Sequence, residues 1–507
     1  MKRILMVSVG VLMLLAIGVE PLLRQFRYDL GTGALEAPAT AGTALSPVSC
    51  WFSDGWFERS DCAWLHPREQ GEAQTALPLV VLRAGLFARS KSATVYLSGG
   101  PGGSSYLYQE AMPYWREWMQ QRLGLDHDLV LYDQRGSGYA LPRLACEPAD
   151  AISLQGVLDG IDSEAWWAAV MPALEACAAD VPERERSAGL YSTATAAQDL
   201  RELVRALRDE LGYESVRLYG VSYGSRLAQV ALARPLPEVE RVVLDGFYPA
   251  GLALEASFAA DFASILDAMD ADCVARARCE PSAGRLRQLL NRGMDRLRAE
   301  PVRLTLSSAL ELPPELEAAR SLLLTSETLF ALTEHLLTTG ADAALLRERL
   351  QEAADGRIGE AWQAVLNEWL WGLADPEFST LAQLLIECRD NPPLLRAEVE
   401  AGLVDYPEWA EALAMPELGY ALCGRLGVRP VPLNASVIEQ PTLLLAAEFD
   451  PRTPTTLAQR ASREFPKLTT LALPRSGHSL TDLDDCAARA AGAFLNDGTL
   501  PIEGACP

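Results

Sequence analysis

Five residues limit what this chain can fold into more than any others: Gly220-Val221-Ser222-Tyr223-Gly224. The run Ser215–Tyr219 ahead of them reads as a strand, and the amphipathic run Tyr223–Leu232 behind them reads as a helix. A serine on so sharp a strand-to-helix turn must take a backbone angle that side chains avoid. Glycines on both sides remove the Cβ atoms that would collide there. The serine hydroxyl then stands clear at the end of a sheet, and the N-terminus of the next helix brings partial positive charge and unpaired N–H groups beside it. The same five residues could form a plain glycine-rich turn, so the rest of the chain has to decide.

Around this turn, strand-like and helix-like runs alternate. Ala76–Ala84, Ala93–Leu97, Asp128–Tyr132, Ser215–Tyr219 and Val239–Leu244 read as strands, while Tyr106–Arg122, Ser163–Ala179 and Ala194–Leu211 carry apolar residues at helical spacing. Such alternation predicts an α/β fold, a mostly parallel central sheet with helices on both faces. From residue 251 to 430 the pattern is almost wholly helical, with Leu252–Met269, Ser282–Ala299, Glu327–Leu337, Ala341–Ala354 and Ala361–Leu373, and only Val302–Leu306 reads as a strand. Strand signals return at Pro441–Ala447 and Leu468–Leu473, with a helix near Thr481–Phe494. The expected organisation is a core of 50–250 and 431–507, with a large helical cap, 251–430, inserted between two strands over the sheet's carboxyl edge, where ligands bind in open α/β folds.

The N-terminus begins Met1-Lys2-Arg3 and runs apolar from Ile4 to Val19, so residues 1–30 read as a signal peptide or an uncleaved N-terminal anchor. At about 1.5 Å per residue the run reaches about 24 Å, short of the roughly 30 Å hydrocarbon core, which favours the signal. Residues 31–49 read as a linker rich in Gly, Ala, Thr and Pro. The 10 cysteines fit an exported protein, periplasmic or secreted. Their order suggests Cys50–Cys62, Cys146–Cys177, Cys273–Cys279, Cys388–Cys423 and Cys486–Cys506, although many connectivities are open to ten cysteines. With 44 basic and 68 acidic residues the net charge is −24, which argues against nucleic acid or an anionic membrane surface as partner. The four histidines fall into no metal-ligand spacing, and no nucleotide, flavin or metal cofactor is expected. No stretch specifies an oligomeric state.

A serine at neutral pH needs a base, and the base needs an orienting acid. His478 follows the strand Leu468–Leu473 on the loop Pro474-Arg475-Ser476-Gly477, where it could reach Ser222; His66, His127 and His335 read as structural. Asp450 follows the strand Pro441–Ala447 and is the expected acid, with Glu448 the competitor on the same loop. The order Ser, Asp, His is the one this sheet architecture uses. Ser98-Gly99-Gly100-Pro101-Gly102-Gly103-Ser104 leaves a strand with a backbone able to approach a ligand, and the backbone N–H groups of Gly100 and Tyr223 are the expected oxyanion donors. Arg135 is expected to fix this glycine-rich loop from below through its carbonyls.

Gly99-Gly-Pro-Gly-Gly-Ser104, Asp133-Gln-Arg-Gly-Ser-Gly138, Gly220-Val-Ser-Tyr-Gly224, Val243-Leu-Asp-Gly246 and Asp450-Pro-Arg-Thr-Pro454 together resemble the proline iminopeptidase and tripeptidyl aminopeptidase group of α/β-hydrolases. The likeness is closer to the secreted tripeptidyl aminopeptidase branch with its characteristic C-terminal region, through Ile386-Glu-Cys-Arg-Asp390, Cys423 and Gly477-His478 with Cys486 and Cys506. It departs from that pattern at Leu97-Ser98. The resemblance implies the α/β-hydrolase fold, Ser222, Asp450 and His478 as the triad, and cleavage of residues from free peptide N-termini. It also implies cap carboxylates that hold the substrate's ammonium group, for which Glu387 and Asp390 are candidates. The expected partner is a peptide substrate, with a small ester as the alternative and an inactive binding scaffold as the remoter one. Contact with a membrane is expected only through an uncleaved N-terminal anchor.

Overall fold

In the computed structural model, which describes residues 44–507 apart from 56–57, 69–73, 86–89, 280–284, 307–319, 435, 502–505 and 507, the apolar runs assemble into one nine-stranded sheet. In chain order the strands of the molecule are β1 (Leu45–Val48), β2 (Ser60–Leu65), β3 (Leu77–Leu82), β4 (Ser92–Leu97), β5 (Asp128–Tyr132), β6 (Ser215–Val221), β7 (Val239–Asp245), β8 (Val302–Thr305), β9 (Ser321–Leu324), β10 (Thr442–Ala447) and β11 (Leu468–Leu473). The large sheet runs β1-β2-β3-β5-β4-β6-β7-β10-β11, and β8 pairs with β9 in a separate hairpin. Neighbours from β5 to β11 are parallel, whereas β1, β2, β3 and β5 pair antiparallel.

Both faces are covered, as the alternation of helices and strands predicts. Along β7, Val242 and Leu244 pack with Leu200, Leu203, Leu207 and Leu227 from the helices Thr193–Asp209 and Tyr223–Leu232. Val243, one residue out of phase, packs on the other side with Trp115, Trp118, Ala488 and Phe494. This period of two, carried by β-branched and leucine side chains, sets the register. Every residue of β3, β5 and β10 is buried.

After β5 the chain crosses over β4 to form β6 on its other side, so β4 and β6 flank the point where strand order reverses. Their carboxyl ends lie level, with Leu97 opposite Gly220. Such a reversal leaves a crevice beyond the strand ends, because the two connections leave in opposite directions. The glycine-rich loop and the serine turn therefore emerge side by side.

Between β7 and β10 the described chain consists of helices and the hairpin β8–β9, with its own apolar core of Phe262, Leu290, Leu329, Leu346, Trp362 and Trp409 among others. The insertion packs onto the carboxyl edge of the sheet. The N–H of Ser379 donates to Gly102 O at 2.9 Å, the Tyr106 hydroxyl to Asp375 Oδ2 at 2.6 Å, and the N–H of His478 to Thr338 O at 2.9 Å.

The expected linker needs correction at its end, because Leu45–Val48 is an edge strand of the sheet. Pro47 disguises it, and an edge strand tolerates proline because the lost N–H leaves no interior ladder bond empty. β2 and β9 also lie outside the expected strands; Ser321-Leu-Leu-Leu324 has no alternation to separate strand from helix. Residues 1–30, the expected signal or anchor, and residues 31–43 of the expected linker lie outside the described residues. Among the described residues, no helix is long and apolar enough to cross a membrane. The cysteines form the five local pairs that their order suggests: Cys50–Cys62, Cys146–Cys177, Cys273–Cys279, Cys388–Cys423 and Cys486–Cys506. Five disulfides fit an extracellular location.

Candidate active site

Ser222 stands between β6 and the helix Tyr223–Leu232 with φ 53° and ψ −120°, outside the regions open to ordinary side chains. The flanking glycines make the turn possible. A Cβ on Gly220 would lie 2.5 Å from Gly224 O, and one on Gly224 would lie 2.1 Å from Leu97 O. No side chain fits at either position. The N–H of Ser222 donates to Asp245 O at 2.9 Å, and the Ser225 hydroxyl donates to Ser222 O at 2.6 Å, so the strained residue is pinned from both sides.

Asp450 and His478 meet across loops that follow β10 and β11. His478 Nδ1 lies 2.7 Å from Asp450 Oδ2, and Asp450 is only 2% exposed. Asp450 Oδ1 accepts from the N–H groups of Arg452 at 2.7 Å and Thr453 at 3.0 Å, while the Thr453 hydroxyl donates to Oδ2 at 2.5 Å. Burial alone would raise the Asp450 carboxyl, but the His478 charge and these hydrogen bonds bring it below its ordinary value. For His478 the balance runs the other way. Burial would depress it, and the charge and hydrogen bond of Asp450, with Asp245 adding to them, hold it above the ordinary imidazole value. Glu448, the competing acid, is exposed. A Cβ on Gly246, at φ +75°, would lie 2.5 Å from Thr453 Oγ1 and 3.3 Å from His478 Cε1, so the residue after β7 must be small for the acid and base to sit there. Among the described residues Ser222 Oγ and His478 share no hydrogen bond; the ring's described partners are Asp450 and, at 3.3 Å, Thr453.

The glycine-rich loop passes directly against the serine. A Cβ on Gly99 would lie 3.2 Å from Ser222 Cβ and 3.7 Å from Ser222 Oγ. The N–H of Tyr223 opens its helix and so has no intrahelical acceptor. Gly100, with φ +110°, follows Gly99 on the same loop. The serine's turn thus touches the glycine-rich loop at Gly99 and the end of β7 at Asp245, next to the Gly246 beside which Thr453 and His478 lie.

The sequence profile for the α/β hydrolase fold matches residues 95–485, three quarters or more of the chain and all of these elements. The chain belongs to the α/β-hydrolase family. Among solved structures, an α/β-hydrolase fold protein from Chitinophaga pinensis shares 13% identity at a TM-score of 0.35, covering 85% of this chain and 98% of that one. An esterase from Exiguobacterium antarcticum shares 12% identity at a TM-score of 0.35, with 85% and 98% covered. A proline iminopeptidase from Mycobacterium smegmatis shares 14% identity at a TM-score of 0.33, with 87% and 98% covered. No curated protein matches the chain.

In this α/β-hydrolase the loop is held by residues that stood in the quoted motifs with no role assigned to them. Gln134 Nε2 donates to Ser98 O at 3.1 Å and to Ser98 Oγ at 2.9 Å, and Ser98 Oγ donates on to Gly103 O at 2.9 Å. Arg135, the residue expected in that role, points elsewhere. Its described bonds are a two-pronged pair with Asp199, at 2.6 and 2.8 Å, and a 3.3 Å contact to Thr75. A planar guanidinium matches a carboxylate fork better than a single carbonyl, which explains the exchange of duties between neighbours. Asp133 clasps the far end of the loop by accepting from Ser105 N at 2.7 Å and Tyr139 N at 2.8 Å, and burial pushes its carboxyl up to about 6.

The two candidate ammonium ligands separate. Asp390 is buried and accepts from the N–H of Thr193 at 2.7 Å, which satisfies an unpaired donor at the start of the helix Thr193–Asp209. Glu387 accepts from the Tyr248 hydroxyl at 3.1 Å, lies 3.7 Å from Arg226, and keeps its side chain 23% exposed. Burial pushes the Glu387 carboxyl up to about 7 against the pull of Arg226. His66, His127 and His335 bond or face Ser46, Thr94 with Asp126, and Glu368, none of which is Ser222, Asp450 or His478. Among the described residues the one set of side chains at metal-ligand distance is Asp484 with Cys486 and Cys506, whose sulfurs are already joined to each other.

Proposed function

We propose that this α/β-hydrolase is an exported serine peptidase that releases short peptides or single residues from free peptide N-termini through an acyl-enzyme on Ser222. One observation carries the reading: the 2.7 Å contact of Asp450 Oδ2 with His478 Nδ1, set at the same strand ends as the strained Ser222. In this reading Asp450 fixes the imidazole with Nδ1 protonated, leaving Nε2 to take the proton from Ser222 Oγ as it attacks the carbonyl carbon. The N–H groups of Gly100 and Tyr223 meet the oxyanion, and His478 returns the proton to the leaving amine. Water then repeats the sequence on the ester. The preference for peptides with a free amino group rests on the likeness to the tripeptidyl aminopeptidase branch. Glu387 suits the ammonium better than Asp390, because Asp390 is committed to a helix terminus.

The test is hydrolysis of a free tripeptidyl-nitroanilide, its N-acetylated twin and a short p-nitrophenyl ester, with Ser222→Ala as blank. Cleavage of the free peptide alone, with KM raised about tenfold or more in Glu387→Gln and kcat little changed, is the expected result. Equal rates on the acetylated twin would remove the aminopeptidase reading. Cleavage of the ester alone would make the protein an esterase.

A further inference from the structure

Asp245, the last residue of β7, lies outside the Ser, Asp and His assignment, yet it bonds the backbone of Ser222 and the two residues that follow Ser479 on the loop of His478. Its carbonyl accepts the N–H of Ser222 at 2.9 Å. Its carboxylate accepts from the N–H of Leu480 at 2.8 Å through Oδ1, and from the N–H of Thr481 at 3.0 Å, the Thr481 hydroxyl at 3.2 Å and the Tyr219 hydroxyl at 2.5 Å through Oδ2. Asp245 is fully buried, and a carboxylate withdrawn from water in this way needs such donors.

The donors come from informative places. Tyr219 lies on β6, three residues before Ser222, and Leu480 lies two residues after His478. Ser479 between them has φ 63°, so the chain reverses its direction tightly between the base and the anchor. On its other side His478 is tied by its own N–H to Thr338 O at 2.9 Å. The base is thus hung between two anchors, one on the insertion and one on Asp245. We propose that Asp245 is a positioning residue for the reaction, holding the backbone of the nucleophile and the loop of the base at a single strand end. This inference rests on the assignment of Ser222 and His478 made above.

The carboxylate's charge gives the role a readout that a purely structural residue lacks. The charged and titratable groups that face His478 are Asp450 and Arg452 from the loop after β10 and Asp245 from β7. Arg452 is paired with Glu334 of the insertion at 3.2 Å, and Arg475 on the base's own loop is paired with Asp272 at 3.6 Å. Around Asp245 itself lie Tyr96, Tyr219, Thr481 and Asp482, which line a cavity of about 10 Å³ next to it. Asp482 accepts from the Tyr114 hydroxyl at 2.7 Å and is raised by burial. Removing the negative charge of Asp245 destabilises the imidazolium, so His478 loses its proton at lower pH.

The test is the rate at which a fluorophosphonate labels Ser222, followed from pH 5 to 9, in the whole protein and in Asp245→Asn. The label forms a phosphorus–oxygen bond to Ser222 Oγ, expels fluoride and sends the serine proton to His478, so it reports on the nucleophile and base whatever the natural substrate. The expected result for Asp245→Asn is a maximal rate lower by roughly ten- to a hundredfold and a midpoint moved to lower pH. Tyr219→Phe removes one donor and keeps the charge; its rate falls several-fold and its midpoint does not move down. Asp245→Asn with wild-type rate and midpoint overturns the inference while leaving the triad in place. Should Asp245→Asn not fold, a wild-type rate in Tyr219→Phe overturns it. Absence of label on Ser222 in the wild-type protein overturns the triad reading, and the inference falls with it.

Discussion

Ser222 holds a backbone conformation, φ 53° and ψ −120°, that costs a residue bearing a Cβ about 1–3 kcal/mol. The surrounding contacts must overrule that preference: the bond from its N–H to Asp245 O, the Ser225 hydroxyl on its carbonyl, and the glycine loop against its side chain. Two variants that both lack the hydroxyl isolate the strain. Ser222→Ala keeps the Cβ and the strain, whereas Ser222→Gly removes both. Denaturant unfolding should therefore find Ser222→Gly more stable than Ser222→Ala by about 1 kcal/mol, although glycine ordinarily destabilises; the reverse order would mean that the turn stores no strain. As candidates, the serine, the acid and the base were legible because each has a local signature: glycines at fixed spacing, and loops directly after apolar runs. Thr453, Gln134 and Asp245 were not. Their partners, His478, Ser98 and Leu480 with Thr481, lie 25, 36 and 235 or 236 residues away, and no spacing rule links them. Thr453 did carry a signal, since a threonine three residues after an aspartate can close a turn on its carboxylate.

At the scale of elements, the segment Asp375–Ser379 straps the insertion onto the glycine-rich loop. Phe378 Cε2 lies 3.3 Å from where a Cβ of Gly100 would stand, and Glu377 is buried beside Asp133, with Oε2 lacking a hydrogen-bond partner. Burial first, then the charges of Asp133 and Asp375, push the Glu377 carboxyl up to about 7 despite Arg143. A carboxyl raised in the folded state retains a proton that the unfolded chain has lost, so its contribution to stability is present at low pH and declines as pH rises toward the folded value. Glu377→Gln, which cannot ionise, should melt a few degrees higher than wild type at pH 8, with the gap closing near pH 4. A gap that does not change with pH would contradict the account. The helical character of the insertion was legible from apolar spacing, but this strap was not, because Asp375-Pro-Glu-Phe-Ser379 reads as an ordinary polar turn. Local sequence likewise hid β1 behind Pro47.

Over the whole molecule, four strand ends bring the site together: β4 supplies the glycine-rich loop, β6 the serine, β10 the aspartate and β11 the histidine. The alternation of strands and helices made the α/β class legible, and the order of the cysteines along the chain suggested their local pairing. Strand order was not, since placing β4 between β5 and β6 depends on which sheet neighbours bury the most apolar surface, and no segment records that alone. The account's central claim is that groups from these distant strand ends act as one catalytic unit. The most direct measurement is turnover, on whichever substrate the wild-type protein cleaves, by Ser222→Ala, His478→Ala and the double variant. A shared unit predicts that all three fall to the same floor, about a millionfold below wild type. Losses that multiply in the double variant, or a single variant that keeps near-wild-type turnover, would show that the two residues do not act together.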